Sequence, residues 1–159
     1  MTTQTHDTVI EAVPDLPSVR IVRDFDAPPE RVFRAWTDPD LVQRWLGPDD
    51  IEMRIEAWDA RTGGAYRYSA WRNGERLTEF YGSFHEVRAP QRIVQTFTFV
   101  DLPDAVSLET ATFDDLGGAR TRVTSLSLVD TLEARDAMLA SGMETGIVQG
   151  YAKLDALLA

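Results

Sequence analysis

Few residues in this chain can move a proton, and they are scattered. His85 lies between Phe84 and Glu86 in a segment of strand-like alternation, so its ring faces away from both neighbours. It is a candidate general base, with a surface or partly buried structural histidine as the plainer reading. Asp59, just before Gly63-Gly64, is a candidate buried acid, and a turn or capping role fits it equally well. Tyr66 is the third candidate for proton transfer. His6 sits in a polar N-terminal stretch and is read as solvated. With 2 histidines and no cysteine, the chain has no zinc–thiolate set, thiol nucleophile or disulfide. No H-E-x-x-H pattern or carboxylate cluster has metal-ligand spacing. There is no G-x-S-x-G elbow, and Gly63-Gly64 lacks the lysine and strand–turn–helix setting of a phosphate loop. No metal or other cofactor is expected.

The aromatic residues point elsewhere. Tyr66 and Tyr68 share one face of a strand, Phe97 and Phe99 share another, and Phe80 shares a face with Phe84. Trp36 and Trp45 come from a helical stretch, and Met53 from the strand after it. Each is an ordinary core residue by default. Gly142, Gly146 and Gly150 change the weighing, because each costs a helix interior about 1 kcal/mol relative to alanine. Either the helix packs very close to its neighbour, or the missing side chains leave space. Met138 and Met143 flank them, and methionine suits an adaptable wall. Inward tyrosines need partners for their hydroxyls. An apolar cavity with a few polar groups is the usual form of a small-molecule site. The candidate ligand-binding set is therefore Trp36, Trp45, Met53, Tyr66, Tyr68, Phe80, Phe97, Phe99, Met138, Gly142, Met143 and Gly146, with a tyrosine or Arg67 fixing orientation.

The elements that must position these residues follow from periodicity. Val19–Asp26 alternates as a strand. Pro28-Pro29-Glu30 opens a short helix carrying Val32, Phe33 and Trp36. Asp38-Pro39 caps and starts a second, which Gly47-Pro48 ends. From 51 to 129 the pattern is short strands and tight turns, with Asn73-Gly74 the clearest hairpin signal. Asp130, with Glu133 three residues on, then opens one long helix over 131–158, striped by Leu139, Met143, Ile147, Tyr151, Leu154 and Leu158. Residues 1–18 read as a mobile tail, over 1–8, and an irregular arm interrupted by Pro14 and Pro17 that lies against a sheet edge. Residues 19–159 read as one domain. This α+β order predicts a curved antiparallel sheet of about six to seven strands around a long C-terminal helix, with two short helices after the first strand.

In order and spacing, Arg23–Pro28, Val32–Pro39, Trp45–Pro48, Asp59 with Gly63-Gly64, Tyr81–Val87 before Pro90, Thr96, Gly118, Thr121 and Gly142–Gly146 resemble the family of homologues of the heat-shock-protein-90 ATPase activator. That family belongs to the START-like, or polyketide-cyclase-like, superfamily, also called SRPBCC. The resemblance spans about 19–158 and implies the helix-grip fold. It departs at Leu46, where the family often has an aromatic residue. It also lacks room for the eukaryotic activator's N-terminal chaperone-docking domain, so a chaperone interaction is not supported by the sequence.

The chain has 159 residues, enough for one domain with a substantial core. A net charge of -10 disfavours nucleic acid and anionic lipid as partners. No apolar run is long enough for a membrane span. The first eighteen residues show no secretory pattern, so a cytoplasmic location is expected. The leading expectation is a START-like domain that binds a small, largely apolar, aromatic or lipid-like ligand between sheet and helix. An enzyme of the polyketide cyclase or hydrolase type is one alternative; a chaperone-interacting or homodimerisation module is the other.

Overall fold

In the computed structural model, which describes residues 6–159, the alternating segments become eight strands of one antiparallel sheet. They are β1 (Val9–Ala12), β2 (Ser18–Phe25), β3 (Glu52–Trp58), β4 (Ala65–Arg72), β5 (Glu75–Arg88), β6 (Arg92–Phe99), β7 (Val106–Asp115) and β8 (Thr121–Leu128). Their spatial order is β1-β2-β8-β7-β6-β5-β4-β3. Strands β3 to β8 form a meander of sequential neighbours. β2 pairs with β8, so the first part of the chain closes onto the last part of the sheet. Asn73 and Gly74 have φ of 51° and 79°, the positive pair that a two-residue hairpin turn needs.

The helices α1 (Pro29–Thr37) and α2 (Pro39–Trp45) sit between β2 and β3. As expected, Asp38 caps α2, its side chain accepting from the Asp40 N–H. After β8 come α3 (Leu132–Ala140) and α4 (Met143–Leu158).

Three expectations are corrected. The sheet has eight strands, because the arm at Val9–Ala12 is itself a strand, Val9 opposite Val22 and Ala12 opposite Val19. Pro14 and Pro17 fall in the connection between β1 and β2 and so interrupt no ladder. The helix expected over 131–158 is two, broken at Gly142, whose φ of 87° is incompatible with continued helix. Its cap is Thr131, whose hydroxyl accepts from the Ala134 N–H, in place of Asp130. The expected mobile tail over 1–8 lies, for residues 1–5, outside the described residues. His6 is not solvated: its Nε2 is 2.8 Å from Asp26 Oδ1, and its side chain is 10% exposed.

The core divides into two parts. At one end Phe25, Trp36, Trp45, Phe113 and Tyr151 interlock, with centroid separations from 4.7 Å for Trp36–Trp45 to 6.1 Å for Trp45–Tyr151. Leu154 and Leu158 close this end from α4. At the other end, α3 has no buried residue, and Met143 and Ile147 of α4 are half-buried.

Candidate functional site

Strands β7 and β8 position the site by a reversal of polarity. Counting back from buried Phe113, the inward residues of β7 are Ala111, Glu109 and Ser107. From buried Val123, those of β8 are Ser125 and Ser127. Register confirms the common face: Phe113 is opposite Val123, Ala111 opposite Ser125, and Glu109 opposite Ser127. Leu108 and Leu128, paired on the other face, are exposed. Hydrophobic residues are therefore outside and polar ones inside, the opposite of what burial alone selects.

Glu109 is the centre of this patch. Ser107 donates to its Oε1 at 2.7 Å and Ser127 donates to its Oε2. Burial pushes the carboxyl above its ordinary range, and the hydroxyls of Ser127 and Ser107 pull it partway back. Among the described residues no basic side chain pairs with it. A buried ion elsewhere is paired: Arg23, 4% exposed, holds Asp155 through Nη1 at 2.9 Å and Nη2 at 2.5 Å.

Across β6, β5 and β4 an aromatic row continues the same face. Phe97 lies opposite Ser107. Its ring is 5.3 Å from Phe80, which is 5.0 Å from Tyr68, which is 6.0 Å from Tyr66. Tyr66 donates its hydroxyl to the Thr96 carbonyl at 2.6 Å. That reach depends on Gly82, because a Cβ there would sit 2.0 Å from the same carbonyl oxygen and 2.7 Å from the hydroxyl. Burial pushes the Tyr66 hydroxyl well up, a hydrogen bond with Gln95 acts against it, and the Glu109 charge adds to it. Tyr68 is raised by burial, then by Tyr66 and Glu109. Tyr151, with Ser125 and Arg23 opposing its burial, is pushed up to about 12.

The candidates for proton transfer are not brought together. Asp59 is exposed and held by Arg61 Nε at 2.8 and 3.0 Å. His85 is exposed on the face opposite buried Phe84. Tyr66 alone lies inside. Of the expected ligand-binding residues, Tyr66, Tyr68, Phe80, Phe97 and Phe99 gather in the aromatic row, and Met138 and Met143, partly buried on α3 and α4, pack against the core as a whole. Trp36, Trp45 and Met53 belong to the tightly packed end. Arg67 faces the other way, its guanidinium 3.2 Å from Glu79 and over Tyr81, because it alternates with Tyr66 and Tyr68. The glycines do three different jobs. Gly142 breaks the helix, a Cβ on Gly146 would meet Pro48 at 3.4 Å, and one on Gly150 would meet the Trp45 carbonyl at 2.9 Å. Among the described residues, no three His, Asp or Glu side chains form a metal-ligand group, and no helix is long and apolar enough to cross a membrane.

Residues 26–159 match the family described as "Activator of Hsp90 ATPase homolog 1-like protein". The chain belongs to this family. No curated protein matches it significantly. A solution structure from Arthrobacter aurescens is 27% identical, covers 94% of this chain and 90% of its own, and superposes with a TM-score of 0.85. A crystal structure from Rhodobacter sphaeroides is 25% identical over 96% of this chain and 97% of its own, with a TM-score of 0.84. An Hsp90 activator from Plasmodium falciparum, 23% identical over 70% of this chain and 71% of its own, has a TM-score of 0.52 and supports the fold alone. The fold is START-like. In this AHSA1-like domain the motif residues mostly hold the frame. Asp38 caps α2, Trp45 Nε1 donates to the Ala35 carbonyl at 2.9 Å, and Gly47-Pro48 receives α4 at its glycines. Glu109 lies outside those motifs. The signal that marks it is the strand parity: Ser107-Leu108-Glu109 and Ser125-Leu126-Ser127-Leu128 put polar residues on the parity of Phe113 and Val123.

Proposed function

We propose that this AHSA1-like domain binds a small, largely apolar ligand between the sheet and the α3–α4 segment, at the end away from the packed tryptophans. One observation carries the reading. Phe80, Phe97 and Phe99 face inward with Tyr68, yet all three phenylalanines keep part of their surface accessible. Met138, Leu139, Met143 and Ile147, on α3 and α4, are likewise only partly buried against the core. A finished core buries such residues, as the other end buries Phe25, Phe33, Trp45, Phe113 and Tyr151. Accessible rings and flexible methionines around a small polar patch have the make-up of a ligand site. Contact with apolar ligand there is worth roughly 25 cal/mol per Å² removed from water.

The test has two arms. Native mass spectrometry of the purified protein reads any co-purifying molecule. Titration with the neutral dye Nile red reads binding directly, in the parent and in Ala111→Leu, which enlarges an inward, half-buried side chain beside Glu109. The expected result is saturable dye binding by the parent, about tenfold weaker in the variant, with the urea midpoint held or raised. A parent that binds no dye and carries no ligand overturns the reading.

A further inference from the structure

Glu109 is the group in the interior whose partner is missing. Its two oxygens each accept one serine hydroxyl, which leaves further lone-pair capacity on the carboxylate unused. Its cross-strand neighbours are Gln95 and Ser127, and among the described residues no basic side chain pairs with it. A half-buried carboxylate without a counter-ion is costly, and this fold shows the usual remedy elsewhere, in the Arg23–Asp155 pair. The two serines point their hydrogens at the carboxylate and so hold it as an acceptor. Beside it runs the aromatic row that begins at Phe97 and continues through Phe80 to Tyr68. The faces of such rings attract cations.

Resting on the ligand-binding reading above, we infer that the ligand is an apolar molecule with a protonated amine, its ammonium on Glu109 and its apolar body along Phe97, Phe80 and Tyr68. The ammonium completes the ion pair that the fold leaves open, through charge-assisted hydrogen bonds to the carboxylate. A carboxylic acid of the same shape meets repulsion at the same point, and a neutral alcohol gains neither the charge pairing nor the ring contact.

The experiment compares three probes of one shape, 1-naphthylmethylamine, 1-naphthalenemethanol and 1-naphthoic acid, by calorimetric titration of the intact protein at neutral pH. The expected order is amine, alcohol, acid, with the amine at least about tenfold tighter than the alcohol. In Glu109→Gln, which keeps the shape, the amine loses that advantage and the alcohol stays within about threefold of the parent value. Ser127→Ala is the second variant; it removes one hydroxyl and is expected to leave the order of the probes unchanged. Alcohol binding equal to or tighter than amine binding by the parent overturns this inference and leaves the ligand site standing. So does an amine preference that survives Glu109→Gln. Failure of all three probes to bind overturns both readings.

Discussion

The two ends of the interior are built from the same kinds of residue and reach different degrees of burial. At the α1–α2 end, Phe25 is fully buried and makes edge contacts with Trp36 and Tyr151. At the α3 end, Phe97 and Phe80 stack at a similar distance yet remain half-buried. Hydrophobicity does not distinguish these rings. The helices differ as well: α4 presses onto α2 at Gly150, where a Cβ would sit 2.9 Å from the Trp45 carbonyl, whereas α3 has no buried residue. Close packing sets stability at the first end, and at the second the rings stay partly accessible.

Equivalent truncations make the sharpest test of that contrast. Phe25→Ala removes a sealed ring and is expected to cost about 3–5 kcal/mol in urea unfolding. Phe97→Ala removes a ring already partly in contact with solvent and is expected to cost about 1–2 kcal/mol. Equal losses would mean that the second end is as closed as the first. The glycines of α4 sharpen the same boundary. Gly150→Ala drives a Cβ to 2.9 Å from the Trp45 carbonyl, an overpacking expected to cost about 1–3 kcal/mol. Gly146→Ala meets Pro48 at ordinary contact distance, 3.4 Å, and is expected to gain up to about 1 kcal/mol from helix propensity. Thermal melts of the two variants should therefore shift in opposite directions, and a shared sign would erase the boundary.

The smallest effect is expected from pH. The Glu109 carboxyl is raised above its ordinary value of 4.5. A group raised in the folded state contributes stability that is fully present below its unfolded pKa and lost as pH rises through its folded one. Relative to Glu109→Gln, the parent should lose stability as pH climbs from about 4.5 toward neutrality. Parallel stability curves for the two proteins would show a Glu109 that is solvated like any surface acid.

What the sequence made legible was local. Asn73-Gly74, Asp38-Pro39 and the alternation of β2 each express a backbone requirement met by adjacent residues, and each appears as read. Glu109 was hidden because strand parity is normally assigned by placing leucine inward. Leu108, Leu126 and Leu128 argue for one face, Phe113 and Val123 for the other, and only the sheet's register decides between them. The three glycines of the last helices were hidden for a related reason. Spaced four apart, they look alike along the chain, and their separate roles depend on Pro48 and Trp45, about a hundred residues earlier. The sequence does not mark β1 as a strand because two prolines follow it, and proline interrupts a ladder only where it stands within one.

The Arg23–Asp155 pair also bears on how the domain is made. The two residues are 132 positions apart. At the usual pace of translation, about 5–20 residues per second, Arg23 leaves the ribosome on the order of ten seconds before its counter-ion is synthesised. Phe25 waits equally long for Tyr151. The hairpins from β3 to β8 find their partners as they emerge, whereas β2, with β1 on one edge, must wait for β8 on the other and cannot be sealed until α4 docks. The early strand therefore emerges with its guanidinium and its phenylalanine both unsatisfied, and its interior is completed only when the last helix is made.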